Sequence, residues 1–129
     1  MGKSLEEVSL FDLGRGLIAT LILESVPVPN ENRDWHEFFY ELKKEEKDGK
    51  PKFFDNLGFD WDGPYPKSLY LSEFFQALNI IYLARSPDGR IVIDEQTINH
   101  WSQEIEEGSP ELKHYLAYAT GKARTHFSN

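Results

Sequence analysis

The chain has 129 residues, no cysteine, and 22 Asp and Glu against 14 Lys and Arg, a formal charge of −8. That length sets one domain, residues 1–129, long enough to bury a core; the missing cysteine excludes disulfides, thiolate metal centres and cysteine nucleophiles; and the acidic balance disfavours DNA held by charge. Aromatic residues make up 14% of the chain, enough to exceed what one small core absorbs, and surplus rings belong at interfaces.

Met1 to Glu7 is polar and acid-bearing, unlike the basic and then apolar order of a signal peptide. The longest apolar stretch, Leu17 to Leu23, is far short of the ~20 residues that span a bilayer. A cytoplasmic chain without membrane contact is expected.

Segment 4–25 reads as a helix. Ser4 with Glu7 and Ser9 with Asp12 both fit the capping box, and Leu10, Leu13, Leu17, Ile18, Leu21 and Ile22 form a helical stripe. Gly14 and Gly16 interrupt it. Either the helix starts after Asp12, or the glycines admit a close neighbour. Val26-Pro27-Val28-Pro29 closes the segment. A second helix starts near Asp34, buries Trp35, Phe38, Phe39 and Leu42, and ends at Asp48-Gly49. The run 41–52, five Lys against four acids, reads as a solvated helix end and loop. Residues 53–66 are rich in both turn formers and rings, an ordered connection pinned against the core.

A third helix runs from Pro66 or Ser68 to Leu78, with Leu69, Leu71, Phe74, Phe75 and Leu78 as its buried face and Asn79 beyond its end. Ile80–Arg85, Ser86-Pro87-Asp88-Gly89 and Arg90–Ile93 predict a β-hairpin. Asp94 caps a fourth helix that Gly108 ends, and Ser109-Pro110-Glu111 opens a fifth reaching Phe127. This order predicts an α+β, mostly helical fold: a winged-helix-like core over about 9–94, with a β-hairpin wing, and two C-terminal helices over about 95–127.

Asp62-Gly63-Pro64-Tyr65-Pro66-Lys67-Ser68-Leu69, followed by Leu71, Phe74, Leu78 and Ile80-Ile81, resembles the Gly-Pro-Tyr-Ser motif of a group of uncharacterised winged-helix-like proteins that includes the antitoxin-like Panacea domain. Pro66 stands where that group commonly has Ser. The resemblance implies that Gly63, Pro64 and Tyr65 are structural, and it implies a regulatory or antitoxin-like role without a catalytic residue.

Three functions compete. The first is a non-catalytic regulatory or protein-interaction module, partnered by itself as a homodimer or by another protein, with Tyr115, Tyr118 and Phe127 of the last helix as dimer contacts. The second is a DNA-binding transcriptional regulator that touches DNA through Lys67, Tyr70, Gln76, Arg85 and Arg90. Glu73 and Asp88 among these positions oppose phosphate. The third is a small enzyme or metal site around Asp60 and Asp62. His36-Glu37-Phe38-Phe39-Tyr40 begins like a zinc-protease helix but has Tyr40 where the second His belongs, so it holds no zinc. His100, His114 and His126 are read as chance placement. No catalytic residue, metal ligand or cofactor is assigned.

Overall fold

The computed structural model describes residues 7–26, 28, 32–81, 84–85 and 91–127. Five α-helices occupy most of that chain: α1 (Leu10–Leu23), α2 (Asn32–Lys44), α3 (Leu69–Ile81), α4 (Glu95–Glu106) and α5 (Pro110–Phe127). A 3₁₀ turn, Lys52–Asn56, lies between α2 and α3. None of the helices is long and apolar enough to cross a membrane among the described residues.

Ser9 starts α1 with a full capping box: its hydroxyl accepts from the Asp12 N–H at 3.1 Å, and the Asp12 carboxylate accepts from the Ser9 N–H at 3.0 Å. The helix ends in a Schellman closure, with Ser25 at φ 60 and the Val26 N–H donating to the Leu21 carbonyl. Within these limits Leu13, Leu17, Ile18 and Leu21 are fully buried. The glycines lie inside the helix because they admit neighbours. A Cβ on Gly14 would come within 2.5 Å of the Phe74 ring, and one on Gly16 within 3.2 Å of Ile105 and Leu116. So α1 is the central helix, packed chiefly on α4 and α5.

Rings from four segments build a second half of the core. Trp35 of α2 lies 5.2 Å from Phe75 of α3 and 4.7 Å from Phe127 at the end of α5. Phe39 reaches Phe54 of the 3₁₀ turn, and Phe54 reaches Tyr115 of α5. Such tilted and edge-on contacts add ~1 kcal/mol each to area burial.

The lysines of 41–52 are not merely solvated. The Lys50 ammonium donates to the carbonyls of Leu42, Lys43 and Glu45 at 3.3, 2.7 and 2.7 Å, closing the C-terminus of α2, and Lys43 donates to the Leu57 carbonyl at 2.6 Å. Lys50→Met keeps the apolar stem and removes the donor, so it is expected to lower stability by about 1 kcal/mol. Lys52→Met, at an exposed site, should stay within about 0.5 kcal/mol; paired urea titrations compare the two.

The α+β, winged-helix class is corrected: among the described residues the fold is helical, and no β-hairpin wing covers it. Ile80 and Ile81, expected in the first strand, form the last turn of α3. The pairing described beyond them joins only Ala84 with Val92 and Arg85 with Ile91. The expected turn, residues 86–90, lies outside the described residues. An isoleucine costs a helix only a few tenths of a kcal/mol, so two of them do not stop an apolar helix whose ladder is already formed. The DNA-regulator reading thereby loses the architecture that motivated it. Helix boundaries also move: α1 runs from Leu10 to Leu23 and not over 4–25, α2 from Asn32 to Lys44 with Asp34 inside it, and α3 passes Asn79. Asp94 caps α4 through the Thr97 N–H at 2.8 Å, and Ser109 caps α5 through the Leu112 N–H at 3.2 Å.

Candidate functional site

The aromatic connection divides in two. Phe54 and Leu57 are buried, Phe53 and Phe59 pack partly against the core, and Trp61 is 59% exposed. The dividing point is Asp60, whose N–H donates to the Lys67 carbonyl at 2.8 Å while the Lys67 N–H donates back at 2.9 Å. These two bonds close residues 60–67 into a compact surface loop with Gly63 and Pro64 at its exposed tip.

The loop is held to α2 and α3 by His36. This side chain is 1% exposed, and its Nδ1 accepts the Ser68 N–H at 2.9 Å. Its Nε2 lies 3.4 Å from the Ser72 hydroxyl. Because Nδ1 is an acceptor, the ring is neutral; burial first, and the nearby Lys67 ammonium second, push its pKa down to about 4. Ser68 caps α3 weakly, its hydroxyl 3.5 Å from the Leu71 N–H. Tyr65 packs 6.0 Å from the His36 ring, with Arg33 and Lys67 over its own face at 5.9 and 5.1 Å. The loop therefore has a fixed posture, set by a buried imidazole and a doubly clamped tyrosine.

Immediately after the loop, the first turn of α3 exposes Leu69 (72%) and Tyr70 (59%). Leu69 was expected on the buried face. It lies two residues, about 200° of helix, from Leu71, which is fully buried. On the other side of the loop Trp61 meets Tyr40 of α2, and Glu37, Tyr40, Glu41, Lys44, Trp61 and Pro66 line a hollow of about 200 Å³. A larger groove of about 510 Å³ runs between α2 and α5, where Lys122 and Glu45 pair with each other at 3.1 Å.

The other sequence candidates disperse. Lys67 and Gln76 are exposed, the Arg85 side chain lies outside the described residues, and so does Arg90 entirely. Tyr115 is 1% exposed, with its hydroxyl without a hydrogen-bond partner and its pKa raised by burial and then by Glu45. Phe127 lies against Trp35 and Phe38. Tyr118 is half-buried under Lys47 and Lys122 at 4.3 and 5.7 Å. All three of these rings thus pack on this chain's own core, Tyr115 fully and Tyr118 and Phe127 in part. His100 pairs with Glu104 at 3.1 Å, and His126 lies 5.5 Å from Phe38. Among the described residues no three His, Asp or Glu side chains, Asp60 and Asp62 included, converge to hold a metal. Sequence reading missed Tyr40, Trp61 and Leu69 as surface groups; only the off-phase spacing of Leu69 and Leu71 signalled one of them.

No protein-family model, curated protein or solved structure matches the chain.

Proposed function

We propose that this chain is a non-catalytic protein-interaction module that holds a lysine-rich segment of another protein on the face made by loop 60–67 and the first turn of α3. The observation that carries the reading is the exposure of Trp61, Leu69 and Tyr70 at 59, 72 and 59% within ten consecutive residues. Each of these side chains forgoes ~1.5–3 kcal/mol of burial that folding alone would favour, which fits a face kept for a partner. The posture of the loop is fixed before binding, so little ordering entropy opposes docking.

Charge selects the partner. Asp60 and Asp62 flank Trp61, Glu37 (paired with Arg33) and Glu41 (beside Lys44) line the hollow next to it, and the whole chain carries −8. Two such chains repel one another, whereas a basic segment is drawn in. The likeness of Asp62–Leu69 to the Gly-Pro-Tyr group supports placing such a module in regulation.

A displayed library of random peptides tests this. Enrichment of basic peptides is expected, with binding lost in Trp61→Ala and Leu69→Ser. Leu69→Ser, at an exposed site, should stay within about 0.5 kcal/mol of the parent in stability, and Trp61→Ala, which gives up the Tyr40 contact, within about 1 kcal/mol. Enrichment that ignores peptide charge, or that survives both substitutions, overturns the reading.

A further inference from the structure

Tyr40 and Trp61 meet edge to face, with centroids 5.5 Å apart and planes at 84°. Two π faces therefore form adjoining walls of a right-angled corner. Phe59, 5.3 Å from Tyr40 at 76°, backs the tyrosine and fixes its orientation. The buried Pro66 stiffens the return of the loop beside it. Glu37 and Glu41 bring two carboxylates to the hollow; Arg33 pairs with Glu37 at 2.9 Å and Lys44 lies beside Glu41, so the acid that an incoming cation can take over is Glu41.

Lys44 shows what the corner accepts. Its Nζ lies 5.3 Å from the Tyr40 ring centroid and 3.8 Å from a Glu41 carboxylate oxygen. The chain's own alkylammonium thus rests on one wall of the corner beside an acid. Its side chain is 57% exposed and can swing into solvent.

We infer that the Tyr40–Trp61 corner binds an alkylammonium group, the head of a lysine or of its N-methylated form, with Lys44 as an internal competitor for the same wall. This rests on the interaction-module reading and names the chemical group that the module holds. A compact cation in a right-angled corner is attracted by two negative π faces at once, and Glu41 adds its charge at slightly longer range when Lys44 swings away. A planar guanidinium stacks on a single face and gains nothing from the second wall. Methylation spreads the charge over a larger, less hydrated surface and lowers the cost of leaving water.

Trp61 supplies the readout, because Trp35 and Trp101 are 1% and 3% exposed. Tetramethylammonium chloride is titrated against tryptophan fluorescence, with sodium chloride as the ionic control and 3,3-dimethylbutan-1-ol, whose tert-butyl head has nearly the same shape without the charge, as the uncharged control. A saturable change with a midpoint on the order of millimolar is expected for the ammonium and none for the alcohol. Tyr40→Leu, which keeps apolar bulk and removes one π wall, should abolish the response. Lys44→Gln should tighten binding by about threefold, an effect that a purely structural role of Lys44 does not produce. An equal response to the alcohol, retention in Tyr40→Leu, weakening in Lys44→Gln, or no saturable response in either the parent or Lys44→Gln overturns the inference. Basic peptides that still bind through Trp61 and Leu69 without any tetramethylammonium response overturn the corner alone. A tetramethylammonium response without Trp61-dependent peptide binding overturns the module alone.

Discussion

Gly14→Val is expected to lower the stability of the fold by about 3 kcal/mol, while Gly121→Ala raises it by about 1 kcal/mol, although both glycines lie inside helices. At Gly14 a single added carbon would already lie 2.5 Å from the Phe74 ring. That ring cannot retreat: Phe74 is fully buried, 5.0 Å from both Phe11 and Phe75. A valine adds two further carbons to this overlap and recovers only a few tenths of a kcal/mol in helix propensity. At Gly121 an added carbon meets nothing within 4 Å, because that stretch of α5 borders the open groove toward α2. The substitution there simply removes the entropic penalty of glycine in a helix. Urea denaturation of both variants with unchanged m-values checks the pair. A Gly14→Val protein as stable as the parent would show that Phe74 does not pack against α1 in this way.

Acid should weaken the protein through His36. In the unfolded chain this imidazole takes up its proton near pH 6.5, while in the folded protein burial and Lys67 delay uptake to about 4. Between those values the unfolded state binds more protons, so stability falls as pH drops through the window. Above the upper value the ring is neutral in both states and contributes no pH dependence. The slope approaches ~1.4 kcal/mol per pH unit and the total loss is about 3 kcal/mol. Asp94, held below its ordinary value by the Thr97 N–H and hydroxyl, gives stability that is present above pH 3.8 and lost only in stronger acid, so the two effects separate. His36→Gln keeps an acceptor for the Ser68 N–H and cannot titrate. Its denaturation midpoint should be flat across the window where the parent falls; equal slopes in the two proteins would assign the acid sensitivity elsewhere. In the folded protein the His36–Ser68 bond is lost only as pH falls to about 4, so release of loop 60–67 and loss of peptide binding should follow there.

Much of the local structure was legible because its causes are local. The Ser9–Asp12 box, the Asp94 and Ser109 caps, and the 10, 13, 17, 18, 21, 22 stripe each act within one or two turns, and each lies on the element it was read to mark, with all of the stripe but the half-buried Ile22 in the core. The second helix was legible by its ring face, and Trp35, Phe38, Phe39 and Leu42 are all buried. The short apolar run after Leu78 was not, since four to six aliphatic residues satisfy a buried strand and a helix end equally well. Only the ladder extending through Ile81 decided between them, and with it the fold class.

The candidate site shows the same division more sharply. Composition alone established an acidic, cysteine-free chain rich in rings, and turn chemistry pointed to an ordered loop around Gly63-Pro64. Which rings faced water was decided by contacts distant in sequence: Lys67 pairing with Asp60, Ser68 reaching back to His36, Phe127 folding onto Trp35, and Tyr40 meeting Trp61. A ring is equally apolar wherever it stands in a sequence. Its exposure depends on whether the three-dimensional packing leaves it a neighbour, and that is a property of the assembled helices rather than of any one segment.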